Sequence, residues 1–253
     1  YENTIIIFSS DHGRAHVRGK QFLYEGGIHI PLIIKYPDGR NAGTVNEEMV
    51  SAIDFAPAFM DLAGLAAPEH LQGRNFLKEG RQRAYIVSAR DRCDETVDRI
   101  RAIRTPNFKY IRNYYPNRPY TQSNAYKTRQ YPMLALLHKM KNDGTLNEAQ
   151  SPFMAETRPY EELYNLEEDP YEVNNLAETQ AYRDTLQTLR HWLDAWITAT
   201  GDQGVEPEPA EVRVKWYQHS RQRQKEFFEN IGLPEDLTPE RFLEDYWQKE
   251  VGL

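Results

Sequence analysis

The sequence predicts an α/β fold followed by a smaller antiparallel subdomain, and three observations carry that expectation. Residues 4–8 (TIIIF) and 30–34 (IPLII) are short, continuously apolar, β-branched runs, the pattern of strands buried on both faces of a parallel sheet. Residues 54–64 and 179–200 repeat their apolar side chains at helical spacing. Beyond residue 84, short strand-like segments alternate with turn residues, which suits an antiparallel sheet. The expected limits are 1–80 for the α/β part, 81–204 for the subdomain with an insertion at 113–158, and 205–253 for a peripheral helical tail.

Taken in order, the first strand ends at Ser9-Ser10-Asp11-His12-Gly13. Open α/β sheets place their ligands at such carboxyl ends. Asp11 and His12 offer a carboxylate and an imidazole to a metal, and Gly13 lets the chain leave sharply. A basic segment, residues 14–20, leads to Leu23-Tyr24-Glu25-Gly26-Gly27 and the second strand. A short strand is expected at 45–50. A helix follows, with Asp54 as N-cap, Pro57 in its first turn and Gly64 beyond its end. Residues 84–88 read as a strand, and 99–104 with 108–112 as a hairpin around Thr105-Pro106-Asn107. Another strand is expected at 162–166, with Glu167-Glu168-Asp169-Pro170 as its turn. The long helix at 179–200 should stop at Gly201. The Tyr-, Pro- and Arg-rich insertion carries one expected helix at 133–141, and the tail another around 212–231.

Composition narrows the function. A chain of 253 residues can bury a sizeable core, and its net charge of −7 argues against bulk nucleic-acid binding. No run is long enough to span a membrane, and the single cysteine excludes an internal disulfide. Because residue 1 lies directly against a core strand, the natural N-terminus is expected to lie further upstream.

The string from Ser10 to Pro31 resembles the second half of the motif set of type I sulfatases, in the alkaline-phosphatase-like superfamily. That pattern runs as an apolar strand, S-D-[NH]-G, a spacer, G-K, L-Y-E-G-G, another apolar strand and Pro. The match falls at Ser10, Asp11, His12, Gly13, Gly19, Lys20, Leu23, Tyr24, Glu25, Gly26, Gly27 and Pro31. The resemblance implies the C-terminal part of an alkaline-phosphatase-like α/β sandwich plus a small antiparallel-sheet subdomain with a long helix. It also implies one divalent cation, Ca²⁺, held by Asp11 and His12 with further carboxylates from elsewhere. Lys20 would bind a sulfate oxygen, and His12 would serve either the metal or the sulfate.

A formylglycine nucleophile, made in this family from a C/S-x-P-x-R motif, is expected in a missing N-terminal half. Cys93 precedes Asp94-Glu95-Thr96-Val97, lacks that motif's Pro and Arg, and is given no catalytic role. The charged segment at 90–99 reads as a loop. Its Arg90, Arg92, Asp94 and Glu95 are the expected substrate-binding residues, the arginines for sulfates or uronates and the carboxylates for hydroxyls or an amine. This loop, the Tyr-rich insertion and Leu163-Tyr164-Asn165-Leu166 look most like the heparan N-sulfatase branch. The expected reaction is hydrolysis of a sulfate ester or sulfamate on a sulfated, glycosaminoglycan-derived sugar, with the N-terminal half as partner. The alternatives are a phosphodiesterase or phosphomutase of the same superfamily, or a non-catalytic binding fragment.

Overall fold

The computed structural model describes residues 1–78 and 83–251. The expected domain boundary near residue 80 therefore lies outside the described residues. Strand β1 (Ile6–Ser9) pairs with β2 (Leu32–Lys35), Ile7 opposite Ile34. The pairing is antiparallel, which corrects the parallel arrangement expected from the two apolar runs. Parallel neighbours need a crossover of a dozen residues or more, usually a helix. The connection here contains only the single turn α1 (Glu25–Ile28) and folds back on itself. One face of the pair is bare: Ile6, Phe8 and Ile33 are exposed, while Ile7, Leu32 and Ile34 are half-buried.

No strand forms at 45–50, where Val45 is exposed and the Asn46 side chain accepts from the Glu48 amide at 2.9 Å. Helix α2 (Phe55–Leu62) follows a 3₁₀ turn at Ala52–Asp54. Asp54 does not cap α2 as expected. It closes a capping box with Ser51 and receives the Arg74 amide at 2.6 Å and the Arg83 guanidinium, which ties the segment after the helix back to its start. Gly64, in left-handed conformation, ends the helix as expected.

The subdomain is a four-stranded antiparallel sheet in the order β3 (Ile86–Cys93), β4 (Thr96–Arg104), β5 (Phe108–Asn113), β6 (Glu161–Asn165). Between β5 and β6 the insertion contributes α3 (Ala125–Gln130) and α4 (Pro132–Asn142), of which the sequence predicted only the second. One sheet face, through Ile100, Ala102, Ile111 and Tyr164, packs against two things at once. From the insertion come Tyr120, Tyr131, Leu137, Phe153 and Met154, and from the β1–β2 connection come Val17, Phe22, Leu23 and Tyr24. The other face, through Ile103, Tyr110 and Leu163, receives Leu186, Leu189 and Leu193 of α5 (Arg183–Thr200). Gly201 ends α5 in the left-handed region. Beyond it, α6 (Ala210–Asn230) lies against α3, and the short α7 (Pro239–Phe242) against α4. A final turn, α8 (Gln248–Val251), closes the described chain. Phe228, Phe242 and Leu243 are buried, so the tail has a small core of its own.

Candidate active site

The β1–β2 connection is built by close backbone contact. The Gly13 amide donates to the Gly27 carbonyl (2.9 Å) and the Arg14 amide to the Gly26 carbonyl (2.8 Å), prolonging the antiparallel pairing past the strand ends. The Arg14 carbonyl in turn accepts from the Lys20 amide at 2.8 Å. These bonds return the backbone of Lys20 to Arg14, the residue after Gly13. The spacing tolerates no side chain: a Cβ on Gly13 would stand 2.3 Å from the Gly26 oxygen, and one on Gly27 2.3 Å from the Phe22 oxygen.

At the end of β1, the Ser10 hydroxyl donates to the His12 carbonyl at 2.7 Å and closes the turn. His12 Nδ1 lies 2.7 Å from the Gly13 oxygen, which can only accept, so Nδ1 carries a proton and in the neutral ring Nε2 keeps its lone pair. Nε2 stands 3.6 Å from Asp11 Oδ2, and the Asp11 side chain is 86% exposed. A carboxylate oxygen and an imidazole nitrogen thus approach each other at the strand end. Among the described residues no group of three or more His, Cys, Asp or Glu side chains forms a complete metal site. Asp11 and His12 fit as two ligands of a shared cation, a carboxylate being the usual choice of a hard ion and imidazole the less usual. Lys20 Nζ sits 4.6 Å from the ring centroid of Tyr126 on α3, facing the insertion.

The remaining motif residues lock this loop to the subdomain. Tyr24 is buried and donates to Glu162 at 2.7 Å, with the Arg18 guanidinium 3.8 Å over its ring. Glu25 meets Lys109, Arg104 (3.4 Å) and His29 (3.2 Å), and its amide is held by the Glu172 carboxylate at 2.6 Å. Burial alone would raise Glu25, but the His29 hydrogen bond and the Lys109 ammonium outweigh it and hold the carboxyl far below its usual range. Lys109 is wholly buried and also donates to the Leu23 carbonyl at 3.1 Å. Sequence reasoning missed Lys109, Glu172 and Arg18, because their partners lie far away along the chain.

The expected loop at 90–99 is a hairpin. β3 runs to Cys93, β4 starts at Thr96, and Asp94 with Glu95 forms the two-residue turn, Asp94 at φ 51°. A run of consecutive charges on both strands and the turn mimicked a solvated loop. Arg92 is committed to Glu208 at 2.7 Å and to the Asp94 carbonyl at 2.8 Å, and stacks on Trp216. Glu95 accepts the Ala125 amide at 2.6 Å at the start of α3. Asp94 is half-buried in the turn. Of the four expected substrate-binding residues, Arg90 lines a cleft together with Gln21, Phe22 and Lys127. It donates to the Gln21 carbonyl at 2.9 Å, directly after Lys20. Burial pushes the half-buried Cys93 thiol up, in keeping with an inert cysteine.

The family model of the C-terminal part of N-sulphoglucosamine sulphohydrolase matches residues 13–134. An ulvan-active sulfatase of Formosa agariphila is 39% identical over 217 residues, covering 85% of this chain and 36% of that protein. These matches support a sulfatase C-terminal domain of the alkaline-phosphatase-like superfamily. An N-acetylglucosamine-6-O-sulfatase of Bacteroides thetaiotaomicron is 35% identical to this sulfatase domain over 127 residues, 45% of this chain and 23% of that protein. The solved structure of a 2-O GAG sulfatase shares the fold, with a TM-score of 0.59 at 22% identity over 82% of this chain and 39% of its own. The chain spans 36% and 39% of the length of the two ulvan-active sulfatases it matches.

Proposed function

We propose that this domain completes a hydrolase that cleaves a sulfate ester or sulfamate from a sulfated, glycosaminoglycan-like sugar. The observation that supports the reading is the glycine-closed loop, which follows Asp11 and His12 at the strand end and returns the Lys20 amide to the Arg14 carbonyl. Sulfuryl transfer builds negative charge on the sulfate oxygens and on the leaving atom, so it needs cations and a proton donor. Asp11 and His12 would hold the divalent cation, Ca²⁺ by family resemblance, with further ligands from outside the described residues. When bound, that ion would draw charge from the sulfate oxygens. Lys20 supplies a second, mobile positive charge for the same anion. His12, with Nδ1 on the Gly13 carbonyl, would offer Nε2 as a lone-pair donor to the ion or, with Nε2 protonated, as an N–H donor to a sulfate oxygen. The formylglycine nucleophile would come from an N-terminal half of the same enzyme. The sugar class is supported by the names of the relatives, among them ulvan-active and N-acetylglucosamine-6-O-sulfatases, and by the N-sulphoglucosamine family model.

The test is to assay the complete enzyme on an aryl sulfate, N-sulfoglucosamine, glucosamine 6-sulfate and an aryl phosphodiester, before and after chelation. Hydrolysis of sulfated substrates, lost with chelator and restored by Ca²⁺, is expected. Turnover of the phosphodiester alone would replace the reading with the superfamily's phosphoryl chemistry.

A further inference from the structure

Beside Lys20 lie two buried cations that no carboxylate neutralises. Arg90 on β3 and Lys127 on α3 are 9% and 6% exposed, and among the described residues neither forms an ion pair. Arg90 gives one N–H to the Gln21 carbonyl, and its Nε is buried with no acceptor. Lys127 has three N–H donors, places one on the Val17 carbonyl at 2.9 Å, and stands 4.2 Å from the Phe22 ring centroid. The same fold pairs four comparable cations with carboxylates, while Arg129, as buried as Arg90, also forms no ion pair among the described residues and donates to the Ala125 carbonyl at 3.1 Å. Arg101 meets Asp91 and Asp202, Lys109 meets Glu25, Arg112 meets Asp194, and Arg158 meets Asp98. A buried cation without a counter-charge is costly, so its retention here needs a reason.

Arg90 and Lys127 line one cleft, and the polar side chains around them, Gln21, Thr96, Gln122 and Asn124, are all neutral. Asp98, the carboxylate nearest in effect to Arg90, is already taken by Arg158. Gln21, the residue that follows Lys20, holds the cleft wall in a left-handed conformation at φ 81°, a geometry uncommon for a side-chain-bearing residue. The cleft therefore begins one residue from the lysine assigned to the scissile sulfate.

We propose that this cleft is an anion subsite, in which Arg90 and Lys127 bind a second oxyanion of the substrate, a sulfate or a carboxylate, while Lys20 holds the sulfate to be cleaved. The inference rests on the sulfatase reading and adds to it a preference for doubly charged sugars. A guanidinium that spends one terminal N–H on Gln21 and an ammonium that spends one on Val17 keep further donors, which suit an oxyanion that accepts from both. Burial brings Lys127 down to about 7, and an arriving anion would restore its charge.

The experiment uses the complete enzyme and the variants Arg90→Gln, Lys127→Met and Lys127→Arg. Their kcat/KM is measured on an aryl monosulfate, a disulfated glucosamine, and a monosulfated glucosamine linked to a uronate. The preference for a doubly charged substrate over the aryl sulfate should fall by about tenfold or more in Lys127→Met and Arg90→Gln, chiefly through KM, and recover in Lys127→Arg. The substrate whose preference falls tells whether the second anion is a sulfate or a carboxylate. An unchanged ratio on both overturns the subsite. A second readout needs no turnover: labelling of wild-type Lys127 by acetic anhydride, followed by mass spectrometry, should slow at least roughly threefold with inorganic sulfate. Absence of that protection rejects the subsite even in an active enzyme. If the wild type hydrolyses no sulfate, the sulfatase reading fails by itself, and the labelling result alone decides the cleft.

Discussion

Asp11 and Lys127 show how differently two residues of one site announce themselves. Asp11 follows an apolar strand and precedes His-Gly, so its role is readable from neighbours in sequence. In the complete enzyme, Asp11→Asn should weaken divalent-cation binding and cut turnover by about a hundredfold or more, with little change in melting temperature. Full activity without added metal would remove Asp11 from the ligand set. Lys127 was not legible, because its meaning comes from burial under Val17 and Phe22, residues far off along the chain. Burial lowers it from 10.5 to about 7, with Arg90 adding repulsion and Cys93 opposing it. The folded protein therefore binds fewer protons than the unfolded chain between those values, and stability rises with pH across that window. Below about 7 the full cost of a buried charge is present. Lys127→Met should accordingly raise the melting temperature most at about pH 6, with the gain fading toward about pH 10. Melts of both proteins across that range check it, and a gain independent of pH would mean that Lys127 is not desolvated.

At the scale of elements, the loop between β1 and β2 explains why the motif contains glycines where it does. Gly13 and Gly27 are not flexible joints but points of contact between two stretches of backbone. A Cβ on Gly27 would also stand 2.5 Å from the Gly19 oxygen. Gly27→Ala should therefore force the loop apart, costing on the order of 2–4 kcal/mol and weakening sulfate binding through Lys20. A calorimetric melt and a sulfate titration measure both, and an unshifted melt would show that the loop yields without cost. Apolar runs, turn residues and helix stops placed most elements, among them α2, α4, α5 and the β4–β5 hairpin. Pairing direction was harder to read. Runs of Ile fit a parallel or an antiparallel neighbour, and only the returning hydrogen bonds at Gly13 and Arg14 decide it. The β3–β4 hairpin was hidden for another reason: its dense charges sit on a sheet that pairs several of its buried ones, as Arg158 with Asp98.

Over the whole molecule, burial is uneven in a way that bears on activity. The antiparallel sheet is covered on both faces, by α5 on one side and by the site loop with the insertion on the other. The β1–β2 pair is not: Phe8 is 59% and Ile33 61% exposed, and they face each other across the strands on one surface. Phe59, Leu62 and Leu65, in and just after α2, are exposed as well. Apolar patches of this kind call for a partner, and a two-stranded pair also offers unpaired strand edges. The proposed N-terminal half would cover both and bring the nucleophile to Asp11, His12 and Lys20. Residues 1–253 expressed alone should bind an apolar dye such as ANS, form soluble oligomers or aggregates, and hydrolyse neither an aryl sulfate nor N-sulfoglucosamine. The subdomain should keep its protection from hydrogen exchange, because its sheet is already enclosed. Co-expression with the N-terminal half should remove dye binding and restore turnover together. Turnover by the chain alone above the uncatalysed rate would require a nucleophile within these residues and would overturn the division of labour proposed here.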